Sequence, residues 1–299
     1  LPPPHPSVPF RLMHTKRELL ELLRARGLRL KKRLGQHYLI DPRLTRRLVE
    51  LCDLGPRDTV IEIGAGLGAL TDGLAARVQR LIAVDVDRAI CDALAERLRS
   101  ASNVHVVCQD ILAFPWATYA GGKVVGAIPY HLSSPILLAL CEQRPKPAAA
   151  WLSLQREVAD RLTAAPGTKA YGRLTVLVQY HFEVEELARI PRSAFFPPPQ
   201  VASAWLRLVA RTRPPVEVAD EALFFAVVRA AFSQRRKTLL NCLRSLPAPR
   251  VDRDAALRLL RTTGVPEAIR GEMLSLGQFA TLANAIHRMR NEVQRPRLR

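Results

Sequence analysis

The chain lacks the features that would indicate a membrane protein, a disulfide framework or a zinc site. No apolar run reaches the roughly 20 residues that a membrane-spanning helix needs. The five cysteines are scattered and never form a Cys-x-x-Cys pair, which favours buried free thiols in a reducing cytosol. The histidines show no metal-ligand spacing, and the Pro-rich start lacks the basic and apolar regions of a secretory signal. We therefore expect a cytoplasmic protein without a metal site.

Acidic residues are scarce relative to basic ones. The chain has 45 Lys and Arg against 27 Asp and Glu, which gives a formal net charge of +18. A polyanionic partner such as nucleic acid is the simplest reason for this excess. A proteome that is rich in Arg would produce the same count, so the charge favours nucleic-acid binding without establishing it.

The order of helix and strand patterns predicts two domains after a disordered tail over residues 1–13. Short buried strands alternate with helices over 14–210, which predicts an α/β domain whose mostly parallel sheet has helices on both faces. The linker Arg211–Pro215 follows, and beyond it strand patterns end and helical periods continue, so a small all-helical domain is predicted over 211–299. The clearest predicted strands are 59–63, 81–85, 104–108, 123–127 and 149–155.

A Gly-rich turn follows the first of these strands, in the stretch Glu62-Ile63-Gly64-Ala65-Gly66-Leu67-Gly68. Such a turn lets the backbone approach a ligand closely, but it could serve NAD, FAD or only a tight bend. The carboxylate of Glu62 disfavours a pyrophosphate and suits an ammonium group. S-adenosylmethionine carries an amino acid and a sulfonium and has no phosphate, so it fits this turn better than a dinucleotide does.

Acids also follow the next two strands. Asp85 is placed to accept from ribose hydroxyls, and Asp110 from an adenine amino group. Each acid taken singly could instead be a helix N-cap. Three acids at successive strand ends favour a ligand, because ligands of open α/β sheets bind beyond the carboxyl ends of the strands. Asp87 is better explained as the N-cap of the following helix.

Six motifs, in order over roughly residues 14–290, resemble those of the rRNA adenine N6-dimethyltransferases. They are Gly35–Leu39, Glu62–Gly68, Gly126–Tyr130, Gln155–Ala159, Phe195–Ser203 and Phe232–Leu239. The last motif and the helical tail favour the small-subunit enzymes over the macrolide-resistance enzymes of large-subunit rRNA.

The resemblance implies a Rossmann-like class I methyltransferase sheet with S-adenosylmethionine as the cofactor. It also implies that the chain dimethylates two adjacent adenosines in a small-subunit rRNA hairpin during ribosome assembly. The partner would be the immature ribosomal subunit, and a monomer is the default expectation.

The resemblance further assigns a catalytic loop, Ala127-Ile128-Pro129-Tyr130, and an aromatic partner, Phe195. In the family an Asn side chain and the next backbone carbonyl accept hydrogen bonds from the adenine amine, the Tyr stacks on the base, and a Phe packs on its other face. Here Ala127 stands at the Asn position and has no side-chain acceptor. Without the resemblance, Phe195 would be assigned to core packing.

The residues expected to bind the cofactor come from five parts of the sequence. The segment Gly35–Leu39 would close over the cofactor, although it could also be an ordinary connector, and Tyr38 replaces the more usual Phe. The full set is Gln36, His37, Leu39, Glu62, Gly64, Gly66, Asp85, Val86, Asp110, Ile111 and Ala127.

RNA contacts are expected from two basic clusters, although a solvated surface would have the same composition. They are Lys31, Lys32 and Arg33 near the start and Arg235, Arg236 and Lys237 in the second domain. Two further functions stay open beside the enzyme. Because of Ala127, one is a weakly active or inactive ribosome-assembly factor that binds RNA on the same fold. The other is large-subunit rRNA methylation of the macrolide-resistance type.

Overall fold

The computed structural model describes residues 15–31, 34–119, 121–246 and 251–294, so the predicted tail over 1–13 lies outside the described residues. The chain divides into two compact units. The first comprises the residues up to Ala159 together with Glu185–Val209, and the second comprises Asp160–Val184 together with the residues from Ala210 onward. Among the described helices, none has the length and apolarity needed to cross a membrane.

A seven-stranded sheet forms the centre of the first unit. Its strands are β2 (Thr59–Ile63), β3 (Arg80–Asp85), β4 (Val104–Cys108), β5 (Lys123–Ala127), β6 (Ala149–Gln155), β7 (Phe182–Ile190) and β9 (Ser203–Ala210). They lie in the order β4-β3-β2-β5-β6-β9-β7. The pairs from β4 to β6 are parallel, whereas β9 joins β6 antiparallel. The predicted α/β class is thus confirmed, and the sheet is mixed at one side.

Helices precede and follow these strands. They are α1 (Lys16–Ala25), α2 (Pro42–Glu50), α3 (Thr71–Ala75), α4 (Arg88–Arg97), α5 (Ser133–Glu142) and α6 (Arg156–Leu162). Asp41 caps α2, as its sequence predicts, because its carboxylate accepts from the backbone of Arg43 and Leu44 at 3.0 Å each. Leu48 and Val49 of α2 pack with the sheet residue Val60. Alternate residues such as Ile61 and Ile82 are also buried, so both faces of the sheet are covered.

The topology collects the site residues at one edge of the sheet. Strands β2, β3, β4 and β5 are mutually parallel, so their carboxyl ends meet at one edge. A separate two-stranded ladder joins β1 (Tyr38–Leu39) to β8 (Phe195–Phe196), with Tyr38 opposite Phe196 and Leu39 opposite Phe195. The segment before α2 and the Phe-rich motif are therefore held side by side.

The second unit is mainly helical. It contains α7 (Arg173–His181), α8 (Glu221–Ala231), α9 (Leu239–Leu243), α10 (Arg253–Thr262) and α11 (Leu276–Gln294). Tyr171, Val176 and Tyr180 share one hydrophobic core with Phe224 and Phe279. For this reason residues 160–184, which the sequence boundary at 210 assigned to the α/β domain, pack with the helical unit in the structure.

Candidate active site

Two adjoining cavities at the sheet edge are lined by the residues that the sequence analysis selected. The first, the loop cavity, is lined by Gln36, His37, Leu39, Glu62, Gly64, Gly66, Asp85, Ala127, Ile128, Pro129, Tyr130 and Phe195. The second, the strand-end cavity, shares Gln36, Gly64, Asp85 and Pro129 with the first and is also lined by Val86, Asp110 and Ile111. The structure therefore brings together the residues proposed for the cofactor and those proposed for the target base.

The carboxyl group of Glu62 is buried at the end of β2. The residue is 1% exposed, and its Oε2 atom has no hydrogen-bond partner among the described residues. Burial raises its pKa from the ordinary 4.5 to about 8, and the nearby Thr71 hydroxyl and Arg97 guanidinium, in that order, offset only part of this effect. A buried acceptor that lacks a partner is costly unless a ligand satisfies it, so this atom points to a cationic or hydrogen-bonding ligand in the loop cavity.

Asp85 holds the Gly-rich turn in place. Its Oδ2 accepts from the backbone N–H of Gly66 at 2.9 Å, and its Oδ1 accepts from that of Asp87 at 3.0 Å. Burial raises the pKa of Asp85 despite these hydrogen bonds. Gly66 has φ +55°, and a Cβ there would lie 2.9 Å from the ring of Tyr38, so only glycine fits. The sequence predicts a ligand role for Asp85, but it does not predict this structural role.

Asp110 occupies an N-cap position, which was its alternative interpretation. It precedes the short 3-10 turn Ile111–Ala113, and its Oδ1 accepts from the backbone N–H of Leu112 at 2.9 Å. The side chain is exposed beside the strand-end cavity. Asp110 can therefore cap this turn and line the strand-end cavity at the same time.

Asp87 is at the N-cap position of α4, as predicted, but its side chain makes no capping hydrogen bond there and anchors the segment before β1 instead. Its carboxylate accepts from Lys31 Nζ at 2.7 Å and from Gln36 Nε2 at 3.2 Å. Burial would raise the pKa of Asp87, but these hydrogen bonds hold it below its usual value. Gln36 Oε1 in turn accepts from the backbone N–H of Lys31 at 2.8 Å. The segment is thus fixed at the rim of both cavities.

Tyr130 is positioned by two contacts. Its hydroxyl is 2.8 Å from the Oγ of Ser203, and its ring stacks on His37 with centroids 5.6 Å apart. His37 Nδ1 lies 2.6 Å from the carbonyl oxygen of Pro197, which orients the imidazole. Burial raises the pKa of Tyr130, so its hydroxyl stays protonated at neutral pH. Phe195 is both a buried core residue and a wall of the loop cavity.

One polar side chain that lines the loop cavity was not predicted from the sequence as a site residue. Ser153 of β6 lines the cavity and pairs with Ala127 of β5 in parallel register. Its signal in the sequence is a hydroxyl inside the otherwise apolar run Ala149–Leu154.

The basic residues proposed for RNA contact differ in their surroundings. Lys31 is paired with Asp87, and Lys32 and Arg33 lie outside the described residues. Arg235 is paired with Glu272 at 2.9 Å and donates to the carbonyl of Lys169. Arg236 and Lys237 are exposed in the turn before α9, where neither makes an ion pair with a described residue. Within the described ranges, no group of His, Cys, Asp and Glu is arranged to hold a metal ion.

The parallel sheet, its Gly-rich turn and the acids at the strand ends define a Rossmann-like methyltransferase. The profile described as "Ribosomal RNA adenine dimethylase" matches residues 27–287. The chain belongs to this family.

Individual relatives agree with the family assignment. The chain is 42% identical over 275 residues to "Ribosomal RNA small subunit methyltransferase A" of Geobacillus kaustophilus, covering 89% of this chain and 94% of the relative. A dimethyladenosine transferase from Plasmodium falciparum is similar in structure, with TM-score 0.70 and 25% identity over 82% of this chain and 95% of that one. The 23S rRNA methyltransferase ErmE has TM-score 0.64 and 29% identity over 83% of this chain and 99% of its own.

Proposed function

We propose that the chain transfers methyl groups from S-adenosylmethionine to the N6 atoms of two adjacent adenosines in a small-subunit rRNA hairpin. The observation that carries this proposal is the buried, unpartnered Oε2 of Glu62 beside a cavity walled by Tyr130 and Phe195. Such a site suits an ammonium-bearing donor next to a planar base. Family membership and the 42% identical small-subunit relative support the choice of rRNA.

The residues present fit the donor. Glu62 would accept from its ammonium group, Asp85 from its ribose hydroxyls, and Asp110 from its adenine amino group. Gly64 and Gly66 keep the turn open, since a Cβ on Gly64 would lie 3.2 Å from the carbonyl oxygen of Ala127. When bound, the donor supplies an electrophilic methyl group on a sulfonium.

The part of the site that faces the target base must promote attack by a poor nucleophile. An adenine amine is weakly nucleophilic because its lone pair is delocalised into the ring. The backbone carbonyl of Ile128 would accept from the amine, and Tyr130 and Phe195 would hold the base out of its RNA context. No strong base is needed if the amine is held in line with the methyl group.

The direct test is methyl transfer to unmodified small ribosomal subunits, followed by identification of the product base. We expect two adjacent N6,N6-dimethyladenosines. Modification of large-subunit rRNA instead would identify the macrolide-resistance type of activity. Cofactor binding without any transfer would favour the assembly-factor alternative, for which Ala127 is the motivating observation.

We expect the Ala127→Asn variant to transfer methyl groups to small subunits faster than the natural chain. The Asn oxygen would add a preorganised acceptor, and removing one such contact typically costs about 10²–10³ in rate. A rise of at least about tenfold is therefore expected in single-turnover assays with labelled cofactor. Ala127→Val, which adds bulk without an acceptor, is the matched control. Equal rates for the natural and Ala127→Asn chains would contradict the prediction.

We expect binding to small subunits to weaken steeply with salt, and to weaken less steeply in an Arg236→Gln/Lys237→Gln variant. Each phosphate contact releases a counterion and contributes about one unit to the slope of log affinity against log salt. Arg229→Gln on α8 is a control for the loss of a single exposed positive charge outside this pair. Affinities measured between about 50 mM and 200 mM salt give the slopes. A double variant whose slope equals that of the natural chain would exclude this pair as phosphate contacts.

A further inference from the structure

Ser153 is a hydroxyl placed where β6 is otherwise apolar. It is 2% exposed, and its neighbours Leu152 and Leu154 are fully buried. The Ser153 side chain lines the loop cavity, whereas those leucines do not. A buried hydroxyl is unfavourable unless it finds a hydrogen-bond partner. The hydrogen bonds among the described residues provide none for this one, so a molecule that occupies the cavity is the available partner.

The strand register places this hydroxyl next to Ala127, the position of the catalytic loop that lacks a side-chain acceptor. Ala127 of β5 and Ser153 of β6 are partners in a parallel ladder, so their side chains share one face of the sheet. Adjacent strands are about 4.8 Å apart. The hydroxyl of Ser153 therefore lies beside the Ala127 methyl group, where the loop lacks an acceptor.

Apart from Glu62, whose Oε2 is unpartnered and which is assigned to the donor above, several polar side chains of the loop cavity already have partners. His37 Nδ1 contacts the carbonyl of Pro197, and the hydroxyl of Tyr130 contacts Ser203. Gln36 uses both atoms of its side-chain amide, because Oε1 accepts from the backbone N–H of Lys31 and Nε2 donates to Asp87. Ser153 thus differs from these residues in having its hydrogen-bonding capacity open to the cavity.

We propose that the Ser153 hydroxyl is the side-chain hydrogen-bond acceptor for the exocyclic amine of the target adenine. This inference rests on the proposed function. One amine proton is directed to Ser153 Oγ and the other to a backbone carbonyl of the loop, which localises the nitrogen lone pair for attack. The nitrogen–carbon bond forms as the carbon–sulfur bond breaks with its electron pair on sulfur, and the surplus proton on nitrogen passes to water. Ser153 orients the amine and keeps no proton.

The test compares Ser153→Ala and Ser153→Cys with the natural chain, because Cys has the same shape with a somewhat larger atom at the end and accepts hydrogen bonds poorly. We expect single-turnover methyl transfer to small subunits to fall by about 10²-fold in both variants. The dissociation constants for cofactor and for subunit should stay within about twofold, since the lost contact acts mainly in the transition state. A role in folding alone would instead lower the melting temperature and leave the rate per folded molecule unchanged.

The same substitutions in the Ala127→Asn background complete the experiment. We expect Ser153→Ala to reduce transfer by less than about fivefold there, because the Asn oxygen takes over the amine proton. A Ser153→Ala chain as fast as the natural one would overturn the inference and leave the proposed function intact. Transfer by Ala127→Asn with none by the natural chain would also overturn it. Absence of transfer by both chains would overturn the proposed function itself.

Discussion

Replacing Glu62 by Gln is expected to weaken S-adenosylmethionine binding by about 10-fold to 100-fold and to raise the melting temperature of the unliganded protein at pH 8. Both effects come from one buried carboxyl group whose Oε2 has no partner among the described residues. A hydrogen bond to a charged group contributes about 1.5–3 kcal/mol, and the neutral amide would lose most of it toward an ammonium.

The stability effect follows from the raised pKa. Burial shifts the pKa of Glu62 from 4.5 to about 8 in the folded chain. Between these two values the folded state binds more protons than the unfolded state, so stability falls as the pH rises through this window. A Gln side chain does not titrate, so the Glu62→Gln variant does not lose stability as the pH rises through this window. The Glu62→Gln variant should therefore gain over the natural chain progressively from pH 4.5 to pH 8.

The same titration makes cofactor affinity dependent on pH. Below pH 8 the carboxyl group is mostly protonated and must ionise before it can face an ammonium. Affinity should rise by up to about tenfold per pH unit between about pH 6 and 7.5, and binding should release a proton. Calorimetry in buffers of different ionisation enthalpy measures both quantities.

The matched control is Glu50→Gln, which changes an exposed carboxylate on α2 outside both cavities. Its melting temperature and cofactor affinity should equal those of the natural chain. Two results would contradict the assignment of Glu62 as a buried ligand group. One is a Glu62→Gln chain that melts at a lower temperature than the natural chain at pH 8. The other is an affinity of the natural chain for the cofactor that does not change with pH.

Local sequence predicted the central sheet well because each strand is a short apolar run with clear ends. Four strands, 59–63, 104–108, 123–127 and 149–155, have the predicted bounds. The ladder between Tyr38–Leu39 and Phe195–Phe196 could not be predicted, since each strand has two residues and its partner is more than 150 positions away. Two residues carry no periodicity, so only tertiary packing selects that pairing.

The site was predictable where it depends on strand ends and unpredictable where it depends on register. Glu62, Asp85 and Asp110 lie at or just beyond the carboxyl ends of three neighbouring strands, so topology alone brings them to one edge. The Gly66–Asp85 hydrogen bond and the Ala127–Ser153 pairing each require knowing which strands are neighbours. Sequence periodicity does not give that order, and for this reason Ser153 was missed.

Replacing Tyr130 by Ala is expected to lower methyl transfer to small subunits by about 10²-fold, whereas Tyr130→Phe should stay within about threefold of the natural rate. Stacking of a base on an aromatic ring is worth about 1–3 kcal/mol. Here the ring is preorganised by its contacts with Ser203 and His37. Phe keeps the ring, so it keeps the stacking surface in the loop cavity.

Tyr130→Phe should lower the stability of the protein while leaving the rate of methyl transfer nearly unchanged. Tyr130→Phe leaves the hydroxyl of Ser203, which is 1% exposed, without its partner at 2.8 Å. A lost hydrogen bond of about 1 kcal/mol lowers the melting temperature of a chain of this size by roughly 2–4 °C. The Phe variant should therefore be less stable yet nearly as fast, because the contact with Ser203 holds the ring and does not touch the base.

The natural, Tyr130→Ala and Tyr130→Phe chains are compared by single-turnover rate, cofactor affinity and melting temperature. These measurements separate the contribution of the aromatic ring from that of the hydroxyl. Cofactor affinity should be equal in all three, since Glu62 and Asp85 are unchanged. If the Phe and Ala variants are equally slow, the hydroxyl rather than the ring of Tyr130 acts in the reaction. A hydrogen-bonding role for Tyr130 would then replace stacking, and the amine would have a second side-chain partner opposite Ser153.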